Sequence, residues 1–268
     1  MDYIMTCTSA ELALLVTLSG YPGVAKGIAE ASIGEKSPKE WEAIMEVTTH
    51  QLILKQLWDD EREIKGEVPL KDEIQQFINY YVESKWMIRC SNKGQSNILM
   101  IHHIENDTWM SHIIDRDIIH EFAYIKGADI SNIIRNYYSF SEETIVRAQL
   151  FHLSDQAFDL LSEPHNAGKV RKISSFSPEE EQSFRLFLDD LESQTWSLYN
   201  ISVFHNPSIE ADPILENIVF FLPSARGIWV VEYKDHPTAP VQVALNTFEQ
   251  WCDLLNSVGI EAAGVNGR

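Results

Sequence analysis

Four histidines fall within nineteen residues: His102, His103, His112 and His120. Histidine is the commonest metal ligand and the side chain that changes charge near neutral pH. His102 and His103 are adjacent in a strand-like run, so they point to opposite faces, and at most one of them can meet His112 across a hairpin. A two-histidine metal site would also need a carboxylate, which Glu105 or Asp107 could supply. The competing reading makes the histidines polar strand positions facing solvent. An internal repeat favours it, because Leu222 and Pro223 stand where His102 and His103 stand. Cys90 would need a nearby base to act as a thiol nucleophile, and the corresponding Val203–His205 keeps nothing similar. It reads as a small buried residue. The carboxylate clusters Asp59-Asp60-Glu61 and Glu179-Glu180-Glu181 sit at a helix end and a helix start. The second complements the helix dipole there. Phosphate loops, the GxSxG elbow and HExxH do not occur. No catalytic residue, metal or cofactor is expected from these patterns.

The elements that would carry these residues are legible in the chain. Thr8 or Ser9 caps an apolar helix through ELALLVTLSG, and a Gly-containing loop then runs to Gly34. Ser37-Pro38-Lys39-Glu40 begins a second helix, with Ser at the N-cap, Pro at the first position and Glu at the third. Trp58–Gly66 reads as a charged turn, and Leu70–Glu83 has helical spacing. WMIRCS, NILMIHHI and WMSHIID read as three antiparallel strands, followed by helices over Ile118–Tyr124 and Ile130–Tyr138. Glu142–Arg147 and Leu150–Phe151 are ambiguous between extended and helical, Ser154–Leu161 is helical, and Glu163–Lys172 reads as a polar linker. Ser177-Pro178-Glu179-Glu180 repeats the helix start, and SLYNISVF, NIVFFLP and GIWVVEY repeat the strands. A last helix over Val241–Val258 and a loose tail close the chain.

NILMIHHIENDTWMSHIID lies without a gap over NIVFFLPSARGIWVVEYKD, at an offset of 120 residues. Asn97, Ile98, Trp109 and Asp115 match Asn217, Ile218, Trp229 and Asp235. Together with the matching order of elements, this predicts an α+β fold built as a quasi-twofold duplicated unit, an antiparallel β-sheet flanked by helical bundles. The expected organisation is one domain over residues 1–268, made of pseudo-repeats at about 1–138 and 139–258 with a tail at 259–268. Joining the edges of two small sheets would protect strands that each copy alone leaves open.

The chain has 268 residues and a formal net charge of -19, with the acid excess spread over both halves. Such a field repels phosphate-rich partners, which argues against nucleic acid or an anionic membrane and is compatible with a basic or neutral protein. The three cysteines, Cys7, Cys90 and Cys252, form no framework and fit a reducing compartment. The start Met1-Asp2-Tyr3 has no basic leader, and Ala10–Leu18 is too short to span a bilayer, so a cytoplasmic protein is expected. Trp58, Trp86, Trp109, Trp196, Trp229 and Trp251 lie on strands or at element edges. Ile104, Ile209 and Ile214 lie in turn regions, where they could be exposed anchors for a partner.

In layout the chain resembles the EspG family, specificity chaperones of type VII secretion systems. The resemblance rests on the ELALLVTLSG helix and its loop, the Ser-Pro-Lys-Glu-Trp helix, the short acidic segment before the first strands, and the quasi-twofold order. It implies binding of the helical-hairpin tip of a secreted substrate, kept from aggregating until export, with no enzymatic activity. The loop ENDTW falls where that family contacts substrate. The expected partner-binding residues are therefore Ile104, Glu105, Asn106, Asp107 and Thr108, together with Phe158 and Leu161 in the second half. The chain is richer in Ile, Lys and Asn than actinobacterial members, which implies a related system with a different substrate. The alternative is an immunity protein that neutralises a secreted toxin.

Overall fold

The computed structural model describes residues 2–91, 96–140 and 149–262, with side chains in the last stretch to Leu255. The chain forms two compact units: Met1–Arg89 with Ser96–Gly127 and Phe204–Leu215, and Cys90–Gln95 with Ala128–Val203 and Glu216–Arg268. The fold is α+β, with antiparallel strand pairing throughout the assigned registers.

The first unit opens with β1 (Asp2–Thr8), which leads directly into α1 (Ser9–Leu18). Thr8 accepts from the Glu11 N–H while the Glu11 carboxylate accepts from the Thr8 N–H, a complete capping box. Leu12, Leu15 and Val16 of α1 are fully buried. The segment expected as a loop is α2 (Pro22–Ile33). Its start is set by Pro22 in the first turn, and Ala25 and Ala29 bury its small face. A helix that packs through alanine gives little hydrophobic periodicity to read. α3 (Pro38–Leu54) begins at the predicted Ser37–Glu40 capping box. The charged turn holds a short helix, α4 (Asp60–Ile64), capped by Asp59, and α5 (Asp72–Glu83) buries Phe77 and Ile78.

Four strands complete this unit: β2 (Trp86–Ser91), β3 (Asn97–Glu105), β4 (Thr108–Asp115) and β5 (Ile119–Lys126). The order is β1-β5-β4-β3-β2. Here the expectation of a helix over Ile118–Tyr124 is corrected. The turn after β4 is closed by the Ile118 N–H on the Asp115 carbonyl at 3.0 Å, with Arg116 and Asp117 both at positive φ. Such a turn sends the chain straight back as a strand. His120, Phe122 and Ala123 of β5 then turn inward.

The second unit repeats the plan. After α6 (Ile130–Tyr138) come β6 (Leu150–Leu153), α7 (Asp155–Leu160), α8 (Ala167–Ile173) and α9 (Pro178–Ser193). α8 occupies the expected linker, anchored by buried Val170. The ambiguous residues 142–147 lie outside the described residues. The strands are β7 (Tyr199–His205), β8 (Ile214–Ser224), β9 (Gly227–Tyr233) and β10 (Val241–Asn246), ordered β7-β8-β9-β10-β6. The chain ends in α10 (Phe248–Ala262). The expected helix from Val241 is thus a strand followed by a helix. Val241, Val243 and Leu245 alternate inward, the strand period. Gly227 is required where β9 meets β10: it has φ +149°, and a Cβ would lie 2.5 Å from the Asn246 carbonyl oxygen.

In both units the first strand crosses back to pair with the last, β1 with β5 and β6 with β10. No helix among the described residues is long and apolar enough to cross a membrane.

Candidate functional site

Two features stand out, one in each unit. The first is a polar chain inside the first unit. His120 of β5 is 6% exposed, and its Nε2 lies 3.0 Å from Ser9 Oγ at the first turn of α1. Its Nδ1 lies 2.8 Å from His112 Nε2 on β4. Ser9 Oγ also lies 3.0 Å from the Asp117 carbonyl and 3.2 Å from that of Ile118. One polarity satisfies nearly everything. The His112 Nε2–H donates to His120, the His120 Nε2–H donates to Ser9, and the Ser9 O–H donates to the Asp117 carbonyl. What remains is the His112 Nδ1 lone pair, buried without a partner among the described residues, as is His102 Nε2.

The rings stack: His102 with His112 at 5.8 Å, His112 with His120 at 5.1 Å, and His112 on Phe122 at 4.2 Å. Tyr81 of α5 meets His102 and His112 edge-on. Burial holds His102 and His120 down to about 4, with Asp117 opposing the shift at His120. Burial, then the neighbouring His102 and His120, keep His112 well below the ordinary imidazole range. All three rings are neutral near pH 7. The solvent-facing reading of His102, His112 and His120 is therefore corrected. The buried Leu222 at the repeat position of His102 was the signal for it.

Among the described residues, no group of three potential ligands is placed to hold a metal. Glu105 is exposed, and Asp107 accepts from the Gly127 N–H at 3.1 Å rather than turning towards the histidines. Nor is Ser9 set up as a nucleophile: it is 2% exposed and hydrogen-bonded to the turn carbonyls. Cys90 is fully buried, and burial raises its thiol far above neutrality.

The second feature is an apolar cleft of about 620 Å³ in the second unit. Phe158 of α7 and Leu161 just after it form one wall. Phe187 and Leu191, one turn apart on α9, form another, and Phe220 of β8 and the loop Trp196–Leu198 complete the lining. That loop is the strained part. Thr195 and Trp196 have φ +53° and +59°, a conformation that costs non-glycine residues about 1–3 kcal/mol each. It persists because the Trp196 N–H donates to the Leu191 carbonyl at 2.8 Å and its indole N–H donates to the Leu161 carbonyl at 2.6 Å. Trp196 thereby ties the loop to the opposite wall. Ser197, beside it, is 8% exposed, with a buried hydroxyl that has no partner among the described residues.

The structure thus places Phe158 and Leu161 on one cleft, Phe158 partly buried and Leu161 5% exposed. Trp196, Ser197, Phe187, Leu191 and Phe220 join them. From the sequence, Trp196 stood out only as one of several aromatics, Phe187 and Leu191 only as apolar positions of a helix, and Phe220 only as an apolar strand position; none was read as part of a site. The other predicted residues lie in the first unit. Ile104 packs against that unit's core instead of standing free. Glu105, Asn106 and Asp107 are exposed at the β3–β4 turn, with Asn106 at φ +50° and Thr108 half-buried. The His103 ring bonds the Asn106 carbonyl at 3.0 Å, so the turn is braced on both sides. Ile209 and Ile214 are exposed, as a partner anchor requires.

Residues 21–248 match the model of a family described as uncharacterised protein YfjC. The chain belongs to the YfjC family. No curated protein matches it.

Proposed function

We propose that this YfjC-family chain is a binding protein, a cytoplasmic chaperone or adaptor. It would hold an apolar helical segment of a secreted protein for a type VII-like secretion system. The observation that carries the reading is the cleft of the second unit. It is walled by Phe158, Leu161, Phe187, Leu191 and Phe220 and closed at one side by a tryptophan loop held in a strained conformation. Apolar side chains from one face of a helix fill such a groove, and the aromatic walls bury large area at low entropic cost. The net charge of -19 favours basic flanks on the occupant. The EspG-like order of elements supports the same role.

The test is co-expression of the tagged chain with the small helical secreted proteins of its own genome, followed by co-purification and solubility assays. The expected result is that one such protein stays soluble only with the chain and is lost when Phe158→Glu is introduced. That variant should melt within about 2 °C of the parent, since Phe158 is only partly buried. A partner that keeps its grip on Phe158→Glu would move the site elsewhere. A partner with toxic activity silenced by binding would overturn the chaperone reading in favour of immunity.

A further inference from the structure

The polar chain of the first unit links three separate pieces of backbone. Ser9 begins α1, His112 lies on β4 and His120 is the second residue of β5, and the carbonyls that Ser9 engages belong to the turn between those two strands. The Ser9 N–H adds a fourth tie, donating to the Ile118 carbonyl at 2.8 Å. A turn with both Arg116 and Asp117 at positive φ has little intrinsic preference for its shape. Its own Ile118 N–H to Asp115 bond closes it and the Arg116 N–H donates to the Ser96 carbonyl at 2.8 Å, while Ser9 ties it to the start of α1.

We propose that the Ser9–His120–His112 chain is an acid-operated latch: a proton added to it releases the β4–β5 turn from the start of α1. The chain works only with neutral rings, because a single N–H sits between His112 and His120. A further proton has two places to go. At His112 Nδ1 it makes a cation against Tyr81 and Phe122 with no hydrogen-bond partner. At His120 it either sets two N–H groups face to face across 2.8 Å or shifts His112 to the tautomer whose Nδ1–H is buried without an acceptor among the described residues.

The surroundings offer little compensation. From β1, Cys7 lies opposite His120 and is a neutral thiol, since burial, then Glu11, push it up to about 12 while Lys55 opposes. From α1, Glu11 is already engaged by Lys55 at 2.8 Å and by the Thr8 N–H. From α5 comes Tyr81, from β3 the neutral His102, and from the turn Asp117, whose charge acts on His120. Water is the cheapest stabiliser of the added charge, and it enters by opening the turn at Asp117, beside a carboxylate that becomes the counter-ion.

The experiment is amide hydrogen exchange on the full chain at pH 7 and pH 4.5, corrected for intrinsic rates, read at Ser9 and Ile118 and at the β9–β10 amides of the second unit. Protection at Ser9 and Ile118 should fall about tenfold or more at the lower pH, while the β9–β10 amides change less than about twofold. In His112→Phe, the fall at Ser9 and Ile118 should shrink to the level of the second unit. Because that variant could lose the fold, imidazole NMR titration of the parent provides an independent check. The His112 and His120 rings should stay neutral through the usual imidazole range and charge together as the turn opens. Rings that titrate near 6.5 with the turn intact, or equal loss of protection in both units, would overturn the latch.

Discussion

The two units share a plan and differ in what fills it. At repeat-related positions the first unit places His102 where the second places Leu222, and both are buried. The first unit continues inward with His112, His120 and Ser9, whereas the second continues with Phe151, Phe184, Phe187 and Trp229. Trp229 belongs to the second unit's aromatic core, and the cleft walled by Phe158, Phe187 and Phe220 shares Phe187 with that core. The two units share an order of strands and differ in what their interiors are made of. A hydrogen-bonded core gives position and pH sensitivity, and an aromatic one gives area that a partner can use.

The largest way to break this comparison is Trp229→Ala. Trp229 is fully buried, and its indole N–H donates to Asp190 at 2.9 Å, beside Arg226 at 3.0 Å. Removing it should cost about 3–5 kcal/mol in urea unfolding and collapse or close the cleft. A cost below about 1 kcal/mol would mean that the second core does not depend on its tryptophan.

His102→Leu sharpens the contrast by giving the first unit the residue of the second. The folded-state pKa of His102 is depressed to about 4 from an unfolded value near 6.5. The unfolded chain therefore binds more protons between those values, and the stability contributed by neutral His102 is lost as pH falls through that window. His102→Leu should gain about 2 kcal/mol over the parent on going from pH 7.5 to pH 5, measured by unfolding at both. An equal difference at the two pH values would show that His102 does not titrate with folding.

The smallest effect tests what the units have in common. Ser37→Ala and Ser177→Ala each remove a capping box preceded by the same pattern, and each should cost about 1 kcal/mol. Unequal costs, with one near zero, would show that one helix start is held by packing instead.

The α+β class, the capped helices α1, α3 and α9, and six of the strands were legible because local chemistry decides them. A capping box, a proline in the first turn and alternating apolar residues act over a few positions. β5 and β10 were misread as helical in corresponding places. β5 is a strand because a tight turn at positive φ sends it back, a cause outside its own residues, whereas β10 carries the inward alternation of Val241, Val243 and Leu245 itself. α2 and α8 escaped notice because they pack through small or sparse apolar residues, Ala25 and Ala29 in one and Val170 in the other, which leave little periodicity to read. The site was half legible. Phe158 and Leu161 stood out as apolar residues near a helix end, while Ser197 carries no signal until the loop at positive φ turns its hydroxyl inward.

By itself, the sequence determined the charge, the capped helices and the matched segments at an offset of 120 residues, since these are properties of the chain alone. Only the tertiary structure decided that three histidines and a serine meet in one buried line, and that residues from α7, α9, a loop and β8 share one cleft. Those contacts join positions far apart in the chain, up to 111 residues between Ser9 and His120. The free energy that selects them comes from excluding water around all partners at once, which no single segment encodes.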